Sequence, residues 1–330
     1  MADHKLLGPW VRRFLMEHLI GEKNLARSTQ TSYRDTLSQI IPFVAQQGTM
    51  TVDRLDVVSL TADMVRAFLN DLEQNRHCKV TTRNQRLAAL HAFAHFVALH
   101  SPEHIEWCGQ IRGIPFKKTA REPAHYLRKP EMDTLLNAPN RMTQQGIRDH
   151  ALLLFLYNSG ARADEAAQLK VSNLQFAQAP ERDYSSVRLR GKGGKLRICP
   201  LWPQTVQTIT PLISGRADAE RVFLNRCHRP MTRFGIHTMV KRYAATSLGD
   251  KRVGPHSIRH STAMHLLQSG VDINTIRAWL GHVSIDTTSI YAEADLEMKA
   301  QALTHCEVKG ANTTKHWRED KGLMEFLKSL

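Results

Sequence analysis

The sequence has few cysteines, and they do not form a disulfide or zinc-binding pattern. They are odd in number, dispersed and without a Cys-x-x-Cys pair, which argues against a disulfide framework or a zinc finger and for a reducing compartment. They are Cys78, Cys108, Cys199, Cys227 and Cys306. Long apolar segments are also missing: the longest run, Ala151–Tyr157, is far too short to cross a bilayer, and no signal peptide is apparent. We therefore expect a cytoplasmic protein that has no membrane partner.

Acidic residues are too few to balance the basic ones. The 330 residues include 45 Lys and Arg against 31 Asp and Glu, which gives a formal net charge of +14. Clustered cations bind phosphates and release counterions, so the excess indicates a polyanionic partner; a generally basic surface is the alternative. Residues 1–120 carry 15 basic and 11 acidic side chains, and residues 121–330 carry 30 and 20. The second part is therefore the expected phosphate-handling part of a chain long enough for two domains.

The first part of the chain has the apolar spacing of a small helical bundle. Pro42 is expected to end the second helix, because proline lacks an N–H and clashes with the preceding turn. The four helices are expected to begin near Pro9, Ser28 or Thr29, Thr61 and Thr81.

The start of the fourth helix is a candidate DNA contact. Thr81, Arg83 and Arg86 group a hydroxyl and two guanidinium groups near a helix N-terminus, where phosphate contacts are common. Helix capping alone explains the threonine, so this interpretation stays open. Residues 115–125, with two prolines and mostly basic charges, are expected to form a linker.

The second part is expected to be mostly helical, with one β-hairpin. Asp149 is expected to cap an apolar helix over Leu152–Tyr157, and glycines between alternating segments predict the hairpin over residues 186–199. Arg188 and Arg190 lie on the basic face of this hairpin, where we expect DNA contacts.

The hairpin tip is rich in glycine and lysine but is not a nucleotide-binding loop. Gly191-Lys192-Gly193-Gly194-Lys195 lacks the spacing of a P-loop, which argues against a nucleotide cofactor. A lysine at such a tip can reach into a DNA groove and donate a proton. The residues alone leave both Lys192 and Lys195 as candidates.

Arg162 is the first candidate for phosphate chemistry. It follows Ser159-Gly160-Ala161, a turn that enters a helix, where its guanidinium and the backbone N–H groups can share one phosphate. Glu165, one turn later, is expected to hold a neighbouring cation in place. An ordinary i,i+3 surface pair is the alternative.

A second candidate group follows a helix start at Gly254-Pro255. His256 and His260 have the i,i+4 spacing of a zinc pair, but the cation Arg259 lies between them and the Glu of His-Glu-x-x-His is absent. A zinc hydrolase is the weaker alternative, and we expect no metal. Leu280-Gly281-His282 is expected to close the next helix, and a single phenol, Tyr291, follows. A phenol attacks a phosphodiester when neighbours neutralise the phosphate and accept the phenolic proton, whereas a lone tyrosine ordinarily packs half-buried.

Taken in order, these residues resemble the active-site signature of the tyrosine recombinases, the phage-integrase-type, Xer-like site-specific recombinase family. The set is Arg162, Lys192, His256-x-x-Arg259, His282 and Tyr291. The likeness covers most of residues 125–300. It implies a mainly α fold with a small β-sheet, made of an N-terminal helical SAM-like core-binding domain (1–114), the linker (115–125) and a mixed α/β catalytic domain (126–305). A tail helix (306–330) would contact a neighbouring protomer or pack on its own domain.

The resemblance also implies roles for these residues. Tyr291 would form a 3′-phosphotyrosyl link to DNA, His256 would accept its proton, and Lys192, which the family pattern favours over Lys195, would protonate the departing 5′-oxygen. Phosphate oxygens would be bound by Arg162, Arg259 and His282, with Glu165 and His260 behind them.

The implied partner is double-stranded DNA at a specific site, bound by a tetramer without cofactor, with or without a second recombinase or a DNA-bending factor. The outcome would be integration, excision, resolution or transposition. A type IB topoisomerase and a non-catalytic DNA-binding regulator are the alternatives.

Overall fold

The computed structural model describes residues 5–119, 126–177, 184–191, 194–249, 251, 253–281 and 325. The chain forms two compact units, Met1–Glu122 and Pro123–Leu330. The division falls inside the segment expected to be a linker, and the domain bounds given above stay predictions. In the described part of the chain, no helix is both long and apolar enough to span a membrane.

The first unit is helical. Its α-helices are α1 (Leu7–Arg13), α2 (Arg27–Gln47), α3 (Ala62–Gln74), α4 (Val80–His100) and α5 (Ile105–Arg112), and a π-helix (Phe14–Glu22) continues α1. Short 3-10 turns cover Val52–Arg54, Val57–Ser59 and Pro102–His104. Aromatic rings form the centre of the core, where Phe14 meets Phe93 and Phe96 at centroid distances of 5.4 and 5.5 Å. Thr61 caps α3 as predicted, since its Oγ1 accepts a hydrogen bond from the Met64 N–H at 3.1 Å.

The prediction that Pro42 ends the second helix is wrong. Helix α2 continues through Pro42 to Gln47. An interior proline costs about 3 kcal/mol, because a backbone hydrogen bond is lost and the ring crowds the previous turn. The residues beyond it offset that cost, since Val44 and Ala45 are buried in the core, where a valine side chain contributes about 1.5–3 kcal/mol and a methyl group about 0.8 kcal/mol.

The second unit combines seven helices with a small sheet in its described residues. The helices are α6 (Lys129–Asn137), α7 (Gln144–Ser159), α8 (Ala163–Gln168), α9 (Pro203–Ile213), α10 (Arg233–Leu248), α11 (Pro255–Gln268) and α12 (Ile273–Leu280). A 3-10 turn, Val171–Asn173, leads into the sheet, whose strands are β1 (Leu174–Gln175), β2 (Ser186–Arg190) and β3 (Leu196–Pro200). The expected fold class, mainly α with a small β-sheet, is confirmed.

Helix α7 forms the centre of this unit, and it corrects the expectation for Asp149. The helix is capped by Thr143, whose Oγ1 accepts from the Gly146 N–H at 3.0 Å, so Asp149 lies inside the helix and not at its start. The Asp149 carboxylate is fully buried, and it accepts hydrogen bonds from Arg148, Arg242 and Tyr243. These three side-chain donors, one from α7 and two from α10, replace the backbone N–H groups that a cap would have bound.

The sheet is antiparallel with the order β1-β2-β3, and the predicted hairpin is its β2–β3 pair. Val187 pairs with Cys199 on the buried face, and Arg188 pairs with Ile198 on the exposed face. The same register places Arg197 opposite Leu189, on the buried face. A basic side chain on that face requires a partner inside the unit.

Candidate active site

Arg162 lies at a sharp transition between two helices. Helix α7 ends at Ser159, Gly160 takes a left-handed conformation with φ of 59°, and α8 begins one residue after Arg162. Glu165 holds Arg162 at two points: its carboxylate accepts from the Arg162 backbone N–H at 2.9 Å and from Nη1 at 2.8 Å. The Arg162 side chain is 31% exposed, so its guanidinium is fixed at the base while it reaches solvent.

Arg259, the second arginine of the site, is held by backbone carbonyl groups. It lies in the second turn of α11 and is only 3% exposed. Its Nη1 donates to the Gly160 carbonyl at 2.6 Å, and its Nη2 donates to the Leu280 carbonyl at 2.5 Å. These bonds join α11 to the end of α7 and the end of α12. They bring the second guanidinium next to the turn that carries the first.

Both arginines and His256 line one cleft of about 390 Å³. His256 is the second residue of α11, and the helix begins at Pro255 as the sequence predicted. Burial lowers the pKa of His256, and the cations Arg259 and Arg162 lower it further. The imidazole is therefore neutral at neutral pH and has a lone pair with which to accept a proton.

The same cleft is lined by three α10 residues that the sequence analysis missed: Arg233, Phe234 and His237. Phe234 is exposed, and the Arg233 guanidinium lies 4.7 Å from its ring centroid. The signal in the sequence was weak, because a threonine cap followed by an arginine marks many helix starts.

His260 lies behind His256, with ring centroids 6.3 Å apart. Burial lowers its pKa to about 4, with contributions from His256 and Arg259. Among the described residues, no group of three or more His, Cys, Asp or Glu side chains could hold a metal ion.

Glu165 also pairs with Arg197, a residue that the sequence analysis missed. The two side chains form a fork, with Nη1–Oε1 at 3.0 Å and Nη2–Oε2 at 2.7 Å, and both are buried. Burial raises the pKa of Glu165, but hydrogen bonds and charge from Arg197, and bonds from Arg162, outweigh burial and hold that pKa below its usual value. The carboxylate therefore stays ionised between two arginines.

The hairpin residues expected to contact DNA face solvent. Arg188, Arg190 and Lys195 are exposed, and a cleft of about 600 Å³ beside the first two is also lined by Lys170 and Arg221. Asp164 and Glu165 also line this cleft, so its four basic residues leave it with an excess of positive charge. Contact of these side chains with DNA stays a prediction.

In the first unit, the predicted DNA contacts differ in accessibility. Thr81 is exposed in the first turn of α4, but Arg83 is only 6% exposed and its Nη1 donates to the Pro115 carbonyl at 2.9 Å. The Nη1 of Arg86 donates to the Ser32 carbonyl at 3.2 Å and to Thr36 Oγ1 at 3.1 Å. Both arginines thus bind within their own unit, and their contact with DNA stays untested.

The structure brings together three of the six predicted catalytic residues, Arg162, His256 and Arg259. Lys192, His282 and Tyr291 lie outside the described residues. Two guanidinium groups and a neutral imidazole around one cleft have the chemistry that suits a phosphate with a proton acceptor beside it.

Comparison with known proteins assigns the family. The phage integrase family pattern matches residues 125–298, and the pattern of the phage integrase N-terminal SAM-like domain matches residues 11–100. The chain therefore belongs to the phage integrase family, the tyrosine recombinases. These enzymes break and rejoin DNA strands.

Individual relatives agree with this assignment. The chain is 34% identical to the putative integrase/recombinase y4rC of Sinorhizobium fredii over an alignment of 338 positions, which covers 100% of both chains. It is 29% identical to tyrosine recombinase XerC of Syntrophus aciditrophicus, covering 88% of this chain and 96% of the relative. The fold is shared with XerH site-specific recombinase bound to its difH substrate, with a TM-score of 0.63, 19% identity, and 89% and 84% of the two chains covered. The recombinase interpretation is favoured over the topoisomerase, regulator and zinc hydrolase alternatives.

Proposed function

We propose that the protein is a site-specific recombinase that cuts and rejoins double-stranded DNA through a covalent 3′-phosphotyrosine at Tyr291. The observation that carries the proposal is the convergence of Arg162, Arg259 and His256 on one cleft. Solved structures of the same fold are described in complexes with DNA: XerH with difH, and the Tn1549 transposon integrase with circular intermediate DNA. A DNA phosphate is the ligand that this arrangement fits best.

In the proposed reaction, the Tyr291 oxygen attacks the scissile phosphorus while the bond to the 5′-oxygen breaks. His256 accepts the phenolic proton, and Lys192 donates one to the leaving oxygen, so the step balances without metal or nucleotide. Full proton transfer before attack would cost about 5 kcal/mol or more, given a phenol pKa of about 10 and an imidazole pKa below its usual value. Proton transfer therefore accompanies bond formation, and such catalysis contributes roughly 10²–10⁴ in rate.

The two arginines have a different task. They bind the non-bridging oxygens, where charge develops in the transition state, and removing one such preorganised donor costs about 10²–10³ in rate. Because the phosphodiester energy is kept in the phosphotyrosine, religation to another strand needs no further source of energy. We further propose that the enzyme acts as a tetramer on two DNA sites in the cytoplasm. The same experiments can test whether Tyr291 acts in its own protomer or in a neighbouring one. They can also test whether a second recombinase or a bending factor is needed.

The proposal is tested by trapping the covalent intermediate. The protein is incubated with a pool of nicked duplexes from which the short fragment that carries the new 5′-hydroxyl escapes after cleavage. Adducts that survive denaturation are isolated and their DNA is sequenced. We expect wild-type protein and the control Tyr184→Phe, an exposed tyrosine, to form the adduct, and Tyr291→Phe to form none. An adduct that persists in Tyr291→Phe contradicts the nucleophile assignment.

The recovered site then separates the remaining alternatives. A recombinase joins strands from two duplexes that carry the site, whereas a topoisomerase relaxes a single supercoiled plasmid without exchange. A protein that binds the site but forms no adduct in any condition acts as a regulator on this scaffold, and would contradict the proposal.

A further inference from the structure

Arg197 is an arginine on the buried face of a strand, next to the candidate active site. Its side chain is 7% exposed, that of Glu165 is 4% exposed, and the two form a bidentate pair at 3.0 and 2.7 Å. Buried ion pairs contribute little net stability, because the cost of desolvation offsets the attraction; an apolar pair of similar volume often serves as well. The position of Arg197 therefore suggests a role other than stability.

The Glu165–Arg197 pair touches several parts of the site. Glu165 binds both the backbone and the guanidinium of Arg162. A Cβ atom added at Gly191 would lie 3.5 Å from Glu165 Oε1, and one added at Gly281 would lie 3.2 Å from Arg197 Cδ. Gly191 directly precedes Lys192 in the sequence, and Gly281 directly precedes His282. The pair is thus packed between the Arg162 turn and the two chain segments that lead to further candidate catalytic residues.

Charge balance explains why an arginine is needed there. A buried carboxylate with Arg162 as its one cationic neighbour would draw that guanidinium inward and cancel its charge, so that less of it would act on a DNA phosphate. Arg197 supplies a second cation, and the group of Arg162, Glu165 and Arg197 then keeps a net positive charge. The fork also fixes both carboxylate oxygens, which sets the direction of the Arg162 Nη1–Oε1 bond.

We propose that Arg197 is a positioning residue for strand cleavage, which neutralises and orients Glu165 so that the Arg162 guanidinium stays available to the scissile phosphate. This inference rests on the proposed function. A misplacement of about 1 Å in such a group costs up to roughly 10²-fold in rate. The Arg197 side chain is only 7% exposed, so we expect its effect to fall on the rate of cleavage and not on DNA affinity.

The test uses the full-length chain, single-turnover adduct formation on saturating suicide substrate, and DNA affinity by gel shift. Arg197→Met is expected to lower the cleavage rate about 10²-fold with unchanged affinity, because Glu165 then binds Arg162 alone. A second change, Glu165→Gln, removes the competing charge and is expected to restore the rate of Arg197→Met at least tenfold. A purely structural role predicts recovery of stability in the double variant, since the unpaired buried charge is then gone, but it predicts no difference in cleavage rate between the variants once the folded fractions are equal.

Arg148→Met is the matched control. Arg148 is 14% exposed and also donates two hydrogen bonds to a buried carboxylate, from Nε and Nη2 to Oδ1 of Asp149. We expect this variant to lose stability but to keep the wild-type cleavage rate once folded fractions are equalised by circular dichroism. If Arg197→Met does not fold, Arg197→Lys replaces it; the lysine keeps the charge without the fork, and we expect a loss of about tenfold in rate with unchanged affinity.

Two results overturn the inference: a rate for Arg197→Met (or Arg197→Lys) equal to that of the control, or no recovery on adding Glu165→Gln to Arg197→Met. Failure of the proposed function looks different, because wild-type protein itself would then form no adduct.

Discussion

Replacing either arginine of the cleft with alanine should slow cleavage strongly, but only one replacement should also weaken the fold by more than about 1 kcal/mol. Arg259→Ala leaves the buried carbonyl groups of Gly160 and Leu280 without their donors. Each unsatisfied buried acceptor costs about 1–3 kcal/mol, so the free energy of unfolding should fall by about 2–6 kcal/mol. This is a large part of the 5–15 kcal/mol typical of a folded protein. With a urea dependence of about 2 kcal/mol per M, the midpoint should move down by about 1–3 M.

Arg162→Ala provides the contrast. Its side chain is partly exposed, and Glu165 keeps Arg197 as a partner, so the loss in unfolding free energy should stay within about 1 kcal/mol. Both variants should lose about 10²–10³ in the rate of adduct formation, since each removes one of the two proposed phosphate ligands. Urea unfolding followed by circular dichroism and adduct formation on a suicide substrate measure the two effects, with the exposed Arg141→Ala as control. Equal urea midpoints for the two variants, or cleavage retained by either, would refute the reasoning.

Two further predictions concern the histidines. Burial, Arg259 and Arg162 hold the pKa of His256 below 6.5, so the cleavage rate should begin to fall on the acid side only below pH 6.5. Arg162→Ala should raise the pKa of the His256 imidazole in an NMR titration. A wild-type pKa at or above 6.5 contradicts this account. The pKa of His260 is about 4 in the folded protein, against about 6.5 in the unfolded chain. As the pH drops, the unfolded chain therefore binds a proton at His260 before the folded protein does. The free energy of unfolding then falls between about pH 6.5 and about pH 4. Urea midpoints at pH 7 and pH 5 should therefore differ less in His260→Asn than in the wild type, and an equal difference would rule out His260 as the source.

Features set by local rules were predicted well from the sequence. The cap at Thr61, the helix start at Pro255 and the hairpin each depend on a few adjacent residues, and the structure confirms them. Pro42 and Asp149 failed for a common reason. Both are residues that usually mark a helix boundary, and in both cases burial in the core decided the outcome instead.

Arg197 was missed because its environment depends on the register of two strands. The alternation within β2 correctly separated Arg188 from its buried neighbours. The face that Arg197 takes on β3 depends on how the glycine-rich turn is closed, which composition alone does not determine. Its partner Glu165 lies 32 positions earlier in the chain, and pairs at such separations leave no local pattern.

The two guanidinium groups of the cleft are linked through a very short piece of main chain. The carbonyl that binds Arg259 belongs to Gly160, two positions before Arg162. Gly160 has a positive φ, and a Cβ atom there would lie 2.4 Å from Leu280 Cδ2. A larger residue is therefore disfavoured both by its backbone conformation and by a steric clash. Inserting or deleting one residue in this stretch would shift one group against the other by up to about 3.8 Å, beyond the tolerance of a hydrogen bond. Homologous enzymes that use this geometry should therefore vary in length elsewhere along the polypeptide while keeping the count of residues here constant.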